Sequence, residues 1–245
     1  MIEYEIGERV QAFTAGRGES LPCEVTQAHQ VHGHEVAVIT RPGMTREELE
    51  GFDALITDVP GIAIGVRTAD CIPILLYDEA HHAVAAIHSG WKGTVKRISQ
   101  KVIFRMRKEY GTEVGELRAL IGPGICGDCF QVGEEVVNVF HETDFPIEKI
   151  YSWNGARVDG DMSTGHHIDL IESNRFLLVQ AGIPEDKIQV CNLCTYEDES
   201  LYSARREGLE CGRNITAICL KPRCQLQDLN TANIYKQLDS REQST

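Results

Sequence analysis

Residues 68–94, TADCIPILLYDEAHHAVAAIHSGWKGT, join two short apolar runs whose ends carry chemically active side chains. The runs, residues 72–78 and 82–88, are short and bounded by turn residues, which favours strands. Cys71 precedes the first run, and His88 ends the second. A side chain at a strand end beside a turn can face a crevice without disturbing strand pairing, and loops on a rigid scaffold commonly carry function. The stretch therefore predicts two core strands that lead into one functional site.

Strand-like and helical segments mix along the chain without a strict alternation. Strands are predicted at residues 34–40, 53–58, 61–67, 72–78, 82–88, 116–122, 187–194 and 215–220. Amphipathic helices are predicted at residues 94–111, 134–142 and 167–184, and a short helical turn at residues 44–52. This pattern favours an α+β fold, with mixed β-sheets flanked by helices, over a doubly wound parallel sheet. We expect a single catalytic domain over residues 1–220 and a polar C-terminal tail over residues 221–245.

The composition restricts the partners that the protein can have. Its 245 residues are 42% hydrophobic, which is enough for one sizeable core. The net charge of −13 argues against non-specific binding to nucleic acid, which depends on clustered Lys and Arg. No apolar run approaches the roughly 20 residues needed to cross a bilayer, and the first residues lack a signal-peptide pattern. We expect a cytoplasmic monomer that acts on a small molecule and binds neither nucleic acid nor a membrane.

Three residues have the side chains of an open zinc site. His32 lies just before a predicted strand, while Cys71 and His88 lie at the ends of two others. Two imidazoles and one thiolate leave the fourth position of zinc for water or substrate, which is the arrangement of catalytic zinc. Each residue alone also fits a purely structural role, because a cysteine at a strand end is commonly a small buried hydrophobe. Spacing alone leaves both interpretations open.

The nine cysteines include two pairs with CxxC spacing, Cys126/Cys129 and Cys191/Cys194. The pairs lie more than sixty positions apart, far beyond the separation in a compact zinc ribbon. The first pair shows only the spacing of a thioredoxin-like redox motif. We therefore expect the two pairs not to form a second metal site.

Several segments resemble, in order, the laccase-domain or multicopper polyphenol oxidase family typified by YfiH. They are Gln30-Val-His-Gly, DALITDVPGIAIGVRTADCIPILLYD, AAIHSGWKGT, YSARREG and GRNITAICL. The resemblance covers about residues 13–220 and implies an α+β fold with a metal site made by His32, Cys71 and His88. The family often begins with a pattern that contains a substrate-facing arginine. Here the segment is FTAGRGES, in which Arg17 is displaced by one position.

The resemblance implies one of two activities. Family members have been described as phenol-oxidising copper enzymes and as zinc-dependent enzymes of purine nucleosides, which phosphorolyse adenosine, inosine, guanosine and methylthioadenosine and deaminate adenosine. A strict laccase needs a blue copper site and a three-copper cluster, which would use essentially all nine histidines. The zinc-dependent purine nucleoside enzyme is therefore favoured, and a copper-dependent polyphenol oxidase is the alternative. Zinc is the expected cofactor, although two imidazoles and a thiolate also suit copper.

The expected reaction assigns roles to residues around the metal. Cys71 would be a ligand, and Asp70 beside it would orient a ligand, handle a proton or serve the structure of the site. Phosphorolysis needs an anion site, for which Arg17, Arg67 and Arg205 are candidates.

Overall fold

The computed structural model describes residues 1–153 and 165–222. Within these ranges the strands are β1 (Ile2–Tyr4), β2 (Val10–Ala15), β3 (Val25–Gln27), β4 (Glu35–Val38), β5 (Phe52–Thr57), β6 (Ala63–Thr68), β7 (Ile72–Asp78), β8 (Ala83–Ser89), β9 (Arg118–Ile121), β10 (Gln131–Val132), β11 (Tyr151–Ser152), β12 (His166–Ile168), β13 (Ile188–Val190) and β14 (Asn214–Leu220). The helices are α1 (Trp91–Val95), α2 (Ile98–Tyr110), α3 (Glu134–Glu142), α4 (Ile147–Ile150), α5 (Leu170–Ala181) and α6 (Ala204–Glu207). Short 3₁₀ turns cover Val114–Glu116 and Glu185–Lys187.

A six-stranded mixed sheet forms the centre of the fold, with the order β13-β9-β7-β8-β5-β4. Its middle strands, β7 and β8, pair antiparallel from Ile72 opposite Ser89 to Asp78 opposite Ala83. The two edge pairs, β4 with β5 and β13 with β9, are parallel. Every residue of β7 and β8 is buried, because both faces of this sheet are covered. This burial explains why the two strands read as continuous apolar runs.

The two faces of the central sheet build two different cores. Leu75 and Tyr77 of β7 pack towards a second sheet, whose order is β1-β2-β14-β6-β3. Ile74 and Leu76 point the other way and share a core with residues of α2 and α5. This alternation follows from the two-residue period of a pleated strand. The result is a layer of helices, a central sheet and a second sheet, which confirms the predicted fold of mixed sheets and helices in a single domain.

The helix predicted over residues 94–111 is wrong in its continuity and its start. It is two helices, α1 and α2, separated at Arg97, whose φ of 60° lies in the left-handed region. The Arg97 side chain donates to the carbonyl oxygen of Thr143 and to Gln180. Helix α1 starts three residues before the predicted start, directly after the Gly90 turn. The break redirects the chain while α2 keeps its apolar face on the sheet.

Other differences lie at the ends of predicted elements. The helix predicted from residue 167 begins at Leu170, where the Asp169 carboxylate accepts a hydrogen bond from the amide of Glu172. The residues before it form β12, the middle strand of a small three-stranded sheet with β10 and β11. Strands β1, β2 and β3 were not predicted, although Ile2, Tyr4 and Ile6 alternate with glutamates around β1. Beyond Pro222, the predicted tail lies outside the described residues. In the described part of the chain, no helix is long and apolar enough to cross a membrane.

Candidate metal centre

The predicted trio comes together at one end of the central sheet. The possible ligand atoms of His32, Cys71 and His88 all lie within 4.8 Å of one another. The two imidazole rings meet edge to face, with centroids 4.9 Å apart. His88 is buried, Cys71 is half-buried and His32 is exposed, so the group is closed on the protein side and open on the other. Such an arrangement fits three protein ligands and one exchangeable position.

The β7–β8 hairpin accounts for the meeting of Cys71 and His88. His88 pairs with Pro73 in the ladder, and Cys71 lies one residue before β7, at the same end of the hairpin. Gly90 makes the close approach possible, because a Cβ atom there would lie 2.9 Å from Cys71 Sγ and 3.4 Å from His32 Cδ2. His32 itself has a φ of 58°, so a turn in the left-handed region presents its ring.

Asp53, at the start of β5, ties two of the ligands together. Its Oδ1 accepts hydrogen bonds from His88 Nδ1 at 2.7 Å and from the backbone amide of His32 at 2.9 Å. Its Oδ2 accepts from the amides of Val31 at 3.2 Å and Gly33 at 2.7 Å. Because His88 Nδ1 carries the donated proton, Nε2 is the nitrogen left to bind a metal. The sequence analysis missed Asp53, although an acidic residue beginning an apolar strand was a usable signal.

Electrostatics favour a charged pair at Cys71 and His88. Burial opposes ionisation of the Cys71 thiol, but the positive His88 beside it and a hydrogen bond from His32 lower its pKa to about 6. Burial likewise disfavours the charged form of His88, but the Cys71 thiolate and Asp53 raise its pKa to about 9. Cys71 is therefore a thiolate at neutral pH, which is the form that binds metals.

A buried polar network holds the turn that follows His88. Ser89 Oγ donates to Asn174 Oδ1 at 2.7 Å and lies 3.0 Å from Thr94 Oγ1. The Thr94 hydroxyl donates to the carbonyl oxygen of Gly90, and the Asn174 amide donates to Thr94. The network connects β8, α1 and α5, and Asn174 of α5 lies 80 positions after Thr94 of α1. The position of His88 therefore depends on the packing of α5 against α1. This connection had no signal in the sequence.

A cleft of about 660 Å³ opens at the metal trio. Its size is typical of small-molecule sites. The residues that line it are Ala28, His29, Gln30, His32, Arg46, Arg67, Thr68, Ala69, Asp70, Cys71, His88, Trp91, Ala204, Arg205, Leu209, Glu210, Cys211 and Arg213. Four of the lining residues are arginines and one is a tryptophan, Trp91.

The arginines give the cleft a positive wall. Burial, together with the charges of Arg46 and Arg213, lowers the pKa of Arg67. The backbone of Arg67 is held by the Gln30 side chain, which accepts from its amide at 2.8 Å and donates to its carbonyl oxygen at 2.9 Å. An anion would relieve the repulsion among these like charges. Arg67 was a predicted anion ligand, whereas Arg46 and Arg213 were missed because their neighbours in space come from distant segments.

The other predicted residues occupy different positions. Arg205 lines the cleft, but its guanidinium donates to the carbonyl oxygens of Cys129 and Gln131. Arg17 is not among the cleft-lining residues; it pairs with Glu207 at 2.7 Å and lies over the ring of Tyr202.

Asp70 lines the cleft, yet both of its carboxylate oxygens are bonded within the protein. Oδ1 accepts from the Thr195 hydroxyl at 2.7 Å, and Oδ2 accepts from the backbone amide of Arg205 at 2.7 Å. Its carbonyl oxygen accepts from the amide of Ile125 at 2.9 Å. Asp70 therefore joins the metal centre to two later loops and to the first turn of α6.

A second group of possible ligands includes three of the four cysteines of the CxxC pairs. The sulfur atoms of Cys126, Cys129 and Cys194 lie within 4.8 Å of one another. Cys191 does not belong to this group; it lies beside Tyr4. Cys194 reaches Cys126 and Cys129 because β13 pairs parallel with β9 and carries the later loop to the earlier one. The expectation that the CxxC pairs form no second metal site stays a prediction.

The sequence also matches known proteins over most of its length. The sequence profile described as "Multi-copper polyphenol oxidoreductase laccase" matches residues 7–221. The chain belongs to this family. The resemblance drawn from the motifs around His32, Cys71 and His88 is thereby confirmed.

Relatives of this family member carry two kinds of name. A "Purine nucleoside phosphorylase" of Bacteroides thetaiotaomicron is 40% identical over 71% of this chain. The chain spans 63% of the length of that relative. The "Adenosine deaminase RL5" of an unknown prokaryotic organism is 42% identical over 81% of this chain and 76% of the relative.

Solved structures of the family share the fold. The YfiH protein of Bacillus licheniformis superposes with a TM-score of 0.72 at 30% identity, covering 80% of this chain and 74% of that one. The YlmD protein of Geobacillus stearothermophilus gives a TM-score of 0.69 at 25% identity, over 81% and 74% of the two chains.

Proposed function

We propose that this protein is a metal-dependent enzyme of purine nucleosides that carries out phosphorolysis and also deaminates adenosine. The observation that carries the proposal is a two-imidazole, one-thiolate group at the floor of a cleft whose wall is lined by arginines. A cleft of about 660 Å³ accommodates a nucleoside together with phosphate. The relatives named purine nucleoside phosphorylase and adenosine deaminase support the same class of substrate.

The residues present fit a zinc ion. Asp53 fixes the ring of His88 with Nε2 available, Cys71 is predisposed to the thiolate form, and Gly90 leaves the space between the ligands clear. When bound, zinc would supply a Lewis acid that polarises an atom of the substrate or of water. His32, Cys71 and His88 would hold it, and the exposed side of His32 leaves the approach from the cleft free.

The arginine wall is proposed as the phosphate site. Arg67 is the best candidate among the predicted arginines. Its backbone is held by Gln30, and within residues 1–153 and 165–222 its guanidinium donates to no protein acceptor. Arg205 and Arg17 instead bond to carbonyl oxygens and to Glu207. A guanidinium that binds phosphate through charge-assisted hydrogen bonds contributes about 1.5–3 kcal/mol per bond. Trp91 lines the same cleft, and its indole is proposed to stack on the purine base.

The arrangement of the histidines favours this proposal over a multicopper oxidase. All nine histidines lie among the described residues. Within residues 1–153 and 165–222, the groups of three or more possible ligands contain only His32 and His88 as imidazoles. A three-copper cluster would need several further imidazoles close to one another. The metal trio can bind one copper, which would not make a laccase.

One batch of protein with known metal content tests the proposal. With phosphate, the zinc-loaded enzyme should convert inosine to hypoxanthine and ribose 1-phosphate, and without phosphate it should still deaminate adenosine; chromatography measures both. Oxygen uptake with a phenol should be slow. If no metal supports nucleoside turnover and stoichiometric copper gives fast oxygen uptake, the proposal is wrong and the activity is polyphenol oxidation.

A substitution in the arginine wall tests the phosphate site separately. Arg67→Gln should raise the KM for phosphate by roughly 10- to 100-fold, corresponding to the loss of one charge-assisted hydrogen bond. Deamination of adenosine should change little, since it needs no phosphate. The matched control is Arg105→Gln on the outer surface of α2, where the arginine pairs with Glu109. Equal effects of the two variants on the phosphate KM would move the phosphate site elsewhere.

A further inference from the structure

The three-cysteine cluster lies outside the metal centre described above. Cys126 and Cys129 belong to the loop between β9 and β10, and Cys194 belongs to the loop after β13. Cys129 and Cys194 are buried, and Cys126 is half-buried. Their neighbours are the apolar side chains of Ile125, Phe130 and Tyr196.

The backbone around the cluster is shaped to bring the sulfurs together. The amides of Cys129 and Phe130 both donate to the carbonyl oxygen of Cys126, which curls the CxxC segment into a turn. Gly124 and Cys194 form a parallel bridge, and the amide of Thr195 donates to the carbonyl oxygen of Gly124. The third cysteine is therefore fixed to the CxxC turn by backbone hydrogen bonds.

The surroundings of Cys194 favour its thiolate. The backbone amide of Cys126 donates to Cys194 Sγ at 3.3 Å. A hydrogen bond from the Cys126 thiol, together with those from backbone amides including Tyr196 and Glu197, lowers the pKa of Cys194 to about 6. The same hydrogen bond to Cys194 raises the pKa of Cys126, and burial raises that of Cys129. These two thiols would lose their protons only when a metal binds.

The distances are close to those of three sulfurs bound to one metal ion. Zinc–sulfur bonds of about 2.3 Å in a tetrahedron place the sulfurs ~3.8 Å apart, and the three sulfurs here lie within 4.8 Å of one another. A small contraction would bring all three sulfurs to bonding distance of one ion, and zinc would take its fourth ligand from solvent. A CxxC turn joined by a cysteine from a distant segment is also the usual construction of structural zinc sites, and soft thiolates select zinc and copper(I).

We propose that Cys126, Cys129 and Cys194 bind a second metal ion. The ion is thiophilic and has a filled d shell, either zinc or copper(I), and it links the loop after β13 to the loop after β9. This site shares no ligand with the metal centre formed by His32, Cys71 and His88. It acts on structure, because the loop that it fastens also carries Thr195, which is bonded to Asp70.

Metal content and cobalt spectroscopy test the proposal on the full chain. Purified wild-type protein should retain two metal equivalents, and Cys71→Ser should retain one. Cobalt(II) bound to Cys71→Ser should show the intense thiolate-to-metal charge-transfer absorption of three sulfurs. The metal centre at His32 and His88 cannot produce this absorption, because it has no thiolate in this variant. Because this arm leaves the cluster intact, it does not depend on the folding of a cluster variant. Cys71→Ser that binds no cobalt through sulfur would overturn the proposal.

Cysteine variants locate the ion. Cys126→Ser should lose one equivalent and lower the melting temperature by several degrees, whereas Cys191→Ser, the matched control from the other CxxC pair, should keep both equivalents. Parallel loading with zinc alone and with copper(I) under anaerobic reducing conditions tells which ion is preferred, and retention of either supports the site. Cys126→Ser with two equivalents and an unchanged melting temperature would refute it.

Discussion

Replacing Asp53 by asparagine should weaken metal binding without touching a metal ligand. Each oxygen of the Asp53 carboxylate accepts two hydrogen bonds. Oδ1 accepts from His88 Nδ1 and the His32 amide, and Oδ2 accepts from the amides of Val31 and Gly33. An asparagine has a single acceptor oxygen and a donating NH₂ group. Whichever way the amide is turned, its NH₂ faces two donors. Two of the four hydrogen bonds are therefore lost and become donor–donor contacts.

The magnitude follows from the burial of the site. Asp53 is 1% exposed, so water cannot replace the lost acceptor. Two hydrogen bonds to a charged acceptor contribute about 1.5–3 kcal/mol each, which gives a loss of about 3–6 kcal/mol in the free energy of unfolding of the metal-free protein. Loss of a partner that orients a ligating histidine typically costs 10- to 100-fold in metal affinity. We expect both effects for Asp53→Asn.

The measurement needs a control that separates stability from metal binding. Asp78 is equally buried and holds His81 at the far end of the β7–β8 hairpin, through the His81 amide at 3.0 Å and its Nδ1 atom. Asp78→Asn should lower stability in urea denaturation but leave the zinc Kd, measured by competition with a chelator, unchanged. Unaltered zinc affinity in Asp53→Asn, or an equal loss in Asp78→Asn, would refute the role given to Asp53.

Two further predictions concern the ligands themselves. Gly90→Ala should reduce zinc affinity by at least tenfold, measured by the same competition, because the new Cβ would lie 2.9 Å from Cys71 Sγ and force the ligands apart. A Gly115→Ala control, with open space around the Cβ, should bind zinc normally. In the metal-free protein, the rate of Cys71 alkylation, followed by peptide mapping, should have its pH midpoint near 6 and should fall below that pH as the thiol takes up a proton. The midpoint of exposed Cys23 should lie above the ordinary value for a cysteine, because partial burial raises its pKa. A Cys71 midpoint at or above that of Cys23 would contradict the charged pair with His88.

The central hairpin was predictable because its physical signal is local. Strands β7 and β8 are short, wholly buried and bounded by turn residues, so their apolar runs match the observed bounds within a residue. The meeting of Cys71 and His88 follows from that hairpin, since both lie at its same end. His32 was harder, because a histidine in a turn beside a glycine is common, and its assignment came from the resemblance.

The rest of the site depends on contacts that no local pattern records. Asp53 begins a predicted strand, but its contact with His88 becomes apparent only when β5 is placed beside β8. The contact of Cys194 with Cys126 requires the parallel pairing of β13 with β9, which spans more than sixty residues of chain. Arg97 takes a left-handed conformation that its residue type does not favour, so the helix break there was invisible.

Asp70 presents the clearest choice between a structural and a chemical role, which the sequence left open. Its φ of 89° is unusual for a residue with a side chain, and asparagine tolerates such a backbone as well as aspartate does. In Asp70→Asn, the amide oxygen can still accept from the Arg205 amide, and the NH₂ group can donate to the Thr195 hydroxyl, because a hydroxyl both donates and accepts. Both contacts survive, in contrast to Asp53→Asn.

The kinetics of Asp70→Asn therefore separate the two roles. If Asp70 only positions the loops, the variant should keep its metal content and lose less than about tenfold in kcat for inosine phosphorolysis, while Asp70→Ala, which loses both contacts, should be less stable. General acid–base catalysis contributes roughly 10²- to 10⁴-fold, so a proton-transfer role predicts a much larger loss with asparagine. We expect the smaller effect, because both carboxylate oxygens already accept hydrogen bonds from the protein. A fall in kcat of more than a hundredfold in Asp70→Asn, with full metal content and normal stability, would instead assign the proton to this carboxylate.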